Sequence, residues 1–272
     1  MSLTAHAAES PVSQSVSGSG ALSFEKINFS WATLVKGSTI QYMDGNSNGK
    51  GTNLSWRNYP TLGYRATEKL KVEAGGQFRQ YFRPADPKKK GQKDFEWRDP
   101  YAGVSLRDLW KGETSSVSAK ARYYIPATEY TRLNRNKEYD EGRGSFQVGA
   151  AYSQKFMDGT YSLYAPLDVN YRLNAFDHKV RQDYWFGIRP SMAYRVSQST
   201  SARVEYYTGD LNHKTDGTWT RFNDPVIGQT AGVALDWYPV KDLLVSPMVN
   251  WGRESFRLNA AEVTLYAKYA FL

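Results

Sequence analysis

The sequence predicts an all-β fold, a transmembrane antiparallel up-and-down β-barrel of about 12 strands with short turns at one end and longer loops at the other. Three observations lead there. Aromatic residues make up 15% of the 272 residues although the mean hydropathy is −0.63, so apolar side chains are diluted by polar ones. The dilution is regular, because apolar and polar residues alternate along extended segments and thereby occupy opposite faces of a strand. Short and long polar connections also alternate along the chain, as they do where hairpins close a barrel with two unlike ends.

Taken from the N-terminus, residues 1–20 read as processing and lead. Ala5-His6-Ala7 matches the small-x-small cleavage region of a secretory signal, and the Ser/Gly-rich stretch after it lacks any periodicity. The expectation is a signal-peptide remnant with a flexible tail, and a barrel over residues 21–272. Within that span Leu54, Trp56, Leu62 and Tyr64 oppose Arg57, Tyr59 and Arg65. Val117, Ala119, Ala121, Tyr123 and Ile125 oppose Lys120 and Arg122. Tyr161, Leu163, Ala165, Leu167, Val169 and Tyr171 oppose Ser162, Tyr164, Asp168, Asn170 and Arg172. Tyr184, Phe186, Ile188, Met192, Tyr194 and Val196 oppose Arg189, Ser191 and Arg195. Ile227, Ala231, Val233, Leu235 and Trp237 oppose Thr230 and Asp236, and the last strand sets Val263, Leu265, Ala267, Tyr269 and Phe271 against Glu262, Thr264, Tyr266, Lys268 and Ala270. Short connections fall at Ala66–Lys69, Asp108–Thr114, Met157–Gly159, Ser197–Ser199 and Pro239–Asp242; long polar ones fall at 44–52, 84–94, 128–142, 175–183, 209–224 and 253–259.

A soluble sandwich would put the apolar face inside, and a membrane barrel puts it outside. The apolar faces carry aromatics at both ends with small residues between, such as Tyr161 and Tyr171 around Ala165. Two aromatic girdles around an apolar band are what a bilayer asks for, and a soluble core has no need of them.

Composition removes several chemistries. With no cysteine there are no disulfides, thiolate metal sites or cysteine nucleophiles. The three histidines are scattered at positions 6, 178 and 213, and no run of apolar residues is long enough for a membrane helix. No Gly-rich phosphate loop is present, and Pro87-Lys88-Lys89-Lys90 is too short a basic run for nucleic acid. Asp44-Gly-Asn46-Ser-Asn48-Gly49 matches half of a calcium loop, but Ser55 stands where the bidentate Glu belongs, so the segment reads as a hairpin loop. His178 and His213, near Asp177, Asp183, Asp210 and Asp216, are the nearest approach to a hydrolase rim.

The ending Leu265-x-x-x-Tyr269-x-Phe271 resembles the assembly signal of Gram-negative outer-membrane β-barrel proteins, here followed by an extra Leu272. The resemblance is to the small porin and channel class. It implies residence in the bacterial outer membrane, contact with membrane lipid and lipopolysaccharide, and folding through the outer-membrane insertion machinery. It also implies short turns in the periplasm and long loops outside.

The alternation predicts an inner face with Arg57, Arg65, Lys71, Arg79, Lys120, Arg122, Arg172, Arg189, Arg195, Arg203 and Lys268 against Glu73, Asp168, Glu205, Asp236 and Glu262. Bases outnumber acids there. An unpaired buried charge is costly, so surplus arginine implies water and hence a pore. A barrel of about 12 strands is narrow, which gives wall charge a strong influence on passing ions. The expectation is a monomeric channel for small anionic or sugar solutes, with no catalytic residues, no metal or other cofactor and no nucleic-acid partner. An enzyme at the rim and a non-conducting structural or surface-recognition barrel are the alternatives.

Overall fold

The computed structural model describes residues 24–39, 54–82, 95–127, 144–173, 182–207, 211–214, 217, 219–221, 230–252 and 261–271. A single 3-10 turn, Phe24–Lys26, leads into β1, Ile27–Thr39. The strands that follow are β2 Leu54–Arg65, β3 Leu70–Phe82, β4 Phe95–Lys111, β5 Ser115–Tyr124, β6 Ser145–Phe156, β7 Tyr161–Arg172, β8 Gln182–Ile188, β9 Ser191–Arg195, β10 Thr200–Tyr207, β11 Leu211–Lys214, β12 Trp219–Arg221, β13 Thr230–Val240, β14 Leu243–Gly252 and β15 Glu262–Ala270.

These segments make 12 staves. β8 and β9 are halves of one stave, interrupted at Arg189-Pro190, where proline has no N–H to give to the ladder. β7 pairs with both halves, from Tyr171↔Tyr184 to Leu167↔Ile188 and again from Tyr164↔Ser191 to Tyr161↔Tyr194. β10 and β11 follow suit on the next stave, β10 against β9 and β11 against β8. β12 is the return arm of a hairpin with β11. β1 pairs antiparallel with both β2 and β15, and the pairing of β9 with β7 joins the ends of the strand order, which closes the barrel.

The short connections all lie at one end, as the alternation predicts, at 66–69, 112–114, 157–160, 196–199 and 241–242. Two predicted boundaries move. The connection placed at Asp108–Thr114 begins later, because β4 runs on to Lys111; Asp108 sits inside it at φ 47°, where the register against β5 slips between Leu106 and Trp110. A bulge there lets the strand bend without ending. The predicted loop 209–224 carries β11 and β12, and β11 pairs with β8 from Leu211↔Phe186 to Lys214↔Gln182. The calcium-like segment, the basic run at 87–90, His178 and the N-terminal lead lie outside the described residues.

The sheet faces confirm the inverted pattern. Val104, Val148, Val204, Val233, Leu235 and Leu265 are exposed on the outside, where each would be buried in a soluble barrel. Rings gather toward both ends of this band. Tyr161 and Tyr194 lie 5.2 Å apart and Phe29 and Phe271 5.3 Å apart at the turn end, while Phe95 and Trp97, at 5.4 Å, stand toward the loop end. Polar residues meanwhile fill the inside: Gln147, Ser246, Thr264 and Glu73 are all buried.

Candidate functional site: the barrel interior

Strand pleating delivers the predicted inner residues to the lumen, and cross-strand register decides which of them meet. On β3, Glu73 accepts two hydrogen bonds from Arg122 of β5, at 2.8 Å from Nε and 2.5 Å from Nη2, and has Lys71 3.7 Å away. β4 lies between them. Its Gly103 is opposite both Glu73 and Arg122, and a Cβ there would sit 2.8 Å from Arg122 Cγ. Lacking that carbon, β4 lets the guanidinium cross to its carboxylate. The device repeats at Gly149 of β6, which leaves room for Lys120 of β5 to reach Asp168 of β7 at 2.8 Å. A Cβ on Gly149 would meet Asp168 Oδ1 and stand 2.6 Å from Lys120 Cε.

Tyrosines and amides hold this wall in place. The Arg122 guanidinium lies 4.4 Å from the Tyr101 ring centre, Tyr101 shares a 3.2 Å hydrogen bond with Thr61, and Tyr124 donates to Gln147 at 3.0 Å. A second network stands opposite. Arg203 of β10 donates to Asp236 of β13 at 2.8 and 3.2 Å, also pairs with Glu205, and Ser246 of β14 donates to Asp236 at 2.6 Å. Lys36 pairs with Glu262 at 2.9 Å.

Between the two networks the wall changes character. Leu34 of β1 is opposite Arg57 on one side and Tyr266 on the other, and packs with Leu244 and Tyr266 into an apolar cluster facing the lumen. Tyr266 is buried against that cluster, 6% exposed. Next in the same tier Arg57 and Arg79 are direct cross-strand partners, 8% and 5% exposed. Arg79 donates to Tyr81 at 2.6 Å, and Tyr81 donates onward to Glu96 at 3.1 Å, where Arg98 also binds at 3.2 Å. Arg57 keeps a side-chain hydrogen bond to Tyr59, and its Nε and Nη1 have no partner.

The surplus of arginine is therefore local. Arg122 and Arg203 are both ion-paired, because their strands bring acids within reach. Lys71, Lys120, Glu73, Asp168, Glu205, Asp236 and Glu262 are in pairs as well. Arg189 lies 4.7 Å from the Tyr207 ring centre, Arg195 borders a cavity of about 190 Å³ at the turn end, and Arg65 and Lys268 stand on inward positions of β2 and β15. Arg172 ends β7, with its side chain outside the described residues. Sequence reading missed Lys36, which lies on the parity of Leu34 in β1, and Glu96 and Arg98, whose inward aspect depends on the slip in register between Gly75 and Gln77. Of the rim candidates, His213 is on β11 and stacks on Tyr184 at 4.6 Å.

No protein-family model matches the chain, and no curated protein matches it in sequence. Its fold is similar to that of an outer-membrane channel from Pseudomonas putida F1, at 13% identity and a TM-score of 0.55, over 94% of this chain and 100% of that one. It is also similar to the NanC porin, at 7% identity and a TM-score of 0.50, over 90% of this chain and 99% of that one. At such identities the likeness is one of fold: a porin-like closed β-barrel of the outer-membrane type.

Proposed function

We propose that this chain is a bacterial outer-membrane channel for passive diffusion of small hydrophilic solutes, with a preference for anions that extends to acidic sugars. One observation carries the reading. The inward acids Glu73, Glu96, Asp168, Glu205, Asp236 and Glu262 are each held in an ion pair, while Arg57 is in none of the ion pairs among the described residues. A fixed positive charge on a narrow wall raises the local anion concentration and replaces part of an anion's hydration. The chain is read as a non-enzymatic monomer, seated in lipid and lipopolysaccharide, inserted by the outer-membrane machinery, with its short turns toward the periplasm. Single-channel recording in a planar bilayer tests this: discrete conductance steps are expected, and a membrane left silent by the folded protein contradicts it. The close packing of Gln147 and Ser246, 2% and 1% exposed, favours the non-conducting barrel as the second reading, and the same recording separates the two.

A further inference from the structure

We infer that the cavity at the turn end of the lumen is a binding site for a small phosphate monoester with a hydroxyl-bearing body, a sugar phosphate by chemical class. It rests on the proposed channel only in making that ester one of its solutes; binding at the cavity does not require conduction.

The cavity, of about 190 Å³, is bounded by β6, β7, β9, β10 and β13 and by the turns 157–160 and 196–199. Two bases border it, Lys155 on β6 and Arg195 at the end of β9. On β7, the stave between them, Ser162 is the cross-strand partner of both Lys155 and Ala193. Ser162 and Ala193 are small, which makes this wall concave, and Arg195 occupies the next inward position after Ala193. Elsewhere in the barrel a base that looks across a small residue finds an acid two staves away, as at Gly103 and Gly149. Here it finds a second base. No acid lines the cavity, not even Asp158 of the adjoining turn, and neither Lys155 nor Arg195 is in an ion pair among the described residues. The two side chains also converge. A Cβ on Gly159, which lies at φ 78° in that turn, would stand 3.2 Å from Arg195 Nη2 and 3.9 Å from Lys155 Cδ.

Two cations on separate staves match an anion with more than one charge and with oxygens facing both. A phosphate monoester carries about 1.5–2 negative charges at pH 7. Lysine binds such a group as a point charge, and the arginine fork takes two of its oxygens. A carboxylate has a single charge and its oxygens lie in one plane, which suits one of the bases and leaves the other. The rest of the wall selects the body. Hydroxyls of Thr160, Ser162 and Ser201 and the amide of Gln198 both donate and accept, as a polyol requires. The volume is many times the roughly 10–15 Å³ that one water needs, so there is space beyond the phosphate head. Lys155, Ser162, Ala193 and Ser201 stand on lumenal positions, away from the lipid face, which makes the ester a soluble one and not a lipid headgroup.

Calorimetric titration of the folded protein in detergent at low salt tests this, with glucose 6-phosphate, gluconate, inorganic phosphate and glucose as separate titrants. Glucose 6-phosphate is expected to bind with saturation and more tightly than the other three. The Lys155→Gln/Arg195→Gln double variant is expected to bind it about tenfold or more weakly. Both side chains are exposed to the water of the lumen, so their replacement leaves the fold intact. Ala193→Leu keeps both bases but fills the concavity, and is expected to weaken binding as well. Lys111→Gln/Lys241→Gln removes two charges from the same end of the barrel, off the cavity wall, and is expected to bind as the parent does. Binding unchanged in the Lys155/Arg195 variant or in Ala193→Leu would overturn the site. Gluconate or inorganic phosphate binding as tightly as glucose 6-phosphate would overturn the ligand class, and an equal loss in the Lys111/Lys241 variant would reduce the effect to general charge and overturn both. A bilayer left silent by a protein that still binds glucose 6-phosphate would strike the channel and leave this site standing.

Discussion

On the wall built by β3 to β7, Arg122 reaches Glu73 and Lys120 reaches Asp168, each across a stave that carries glycine at the crossing point. Where β1, β2 and β3 meet, Arg57 has the side chain of Leu34 on one side and a second arginine on the other. Both walls come from the same alternating pattern and the same residue types. What differs is whether the register supplies an acid. The first wall is a structural brace, in which charge is neutralised in the folded chain; in the second, Arg57 is in none of the ion pairs among the described residues. A count of lumenal arginines therefore overstates the field, and the uncompensated ones set it.

The sharpest way to break the comparison is to remove an acid from the braced wall. Glu73→Gln leaves Arg122 and Lys71 without their partner in a buried position, at an expected cost of about 3–5 kcal/mol in urea unfolding from lipid vesicles. Arg57→Gln, by contrast, is expected to cost nothing measurable in the same assay. Equal losses would show that the two walls do not differ.

A charge on the outside gives the next largest effect. Leu265→Arg places a guanidinium on the lipid face and is expected to cost about 2–4 kcal/mol near the midplane, in the same unfolding measurement. A loss near zero would mean that the two faces of β15 are exchanged.

Filling a crossing point is expected to cost less. Gly149→Ala drives a methyl group into the Lys120–Asp168 pair and should cost about 1–3 kcal/mol. Gly76→Ala meets nothing within 4 Å and should fall well below that. If both cost the same, glycine serves these strands for some reason other than passage of a side chain.

The barrel was legible because alternation is a local property. In β15 every second residue from Val263 to Phe271 is apolar, and no tertiary knowledge is needed to see which face meets lipid. The crossings were less accessible. That Glu73 and Arg122 meet depends on the stagger of three strands, and no pair of residues 49 positions apart announces it. A signal was nonetheless present: glycine at positions 103 and 149 falls on the polar face of its strand, where a chain with space to fill would place a side chain. The missed inward residues have a simpler cause. Asp99-Pro100 within β4 and the slip at Gly75/Gln77 shift the alternation, so Glu96 and Arg98 turn inward on even positions while Tyr101 and Gly103 do so on odd ones. A bulge costs a sequence reader the parity of everything beyond it.

The reversal potential of the wild-type channel under a KCl gradient, set beside that of the Arg57→Gln/Arg79→Gln double variant, tests the central claim most directly. The charge of Arg57, which is in none of the ion pairs among the described residues, predicts a chloride-favouring potential in the wild type. That preference should shrink as salt rises, because screening shortens the reach of fixed charge, and the double variant should shift most of the way toward the potential of a neutral pore. A wild-type potential that favours potassium, or a double variant whose potential matches the wild type, would contradict the assignment of selectivity to these two arginines.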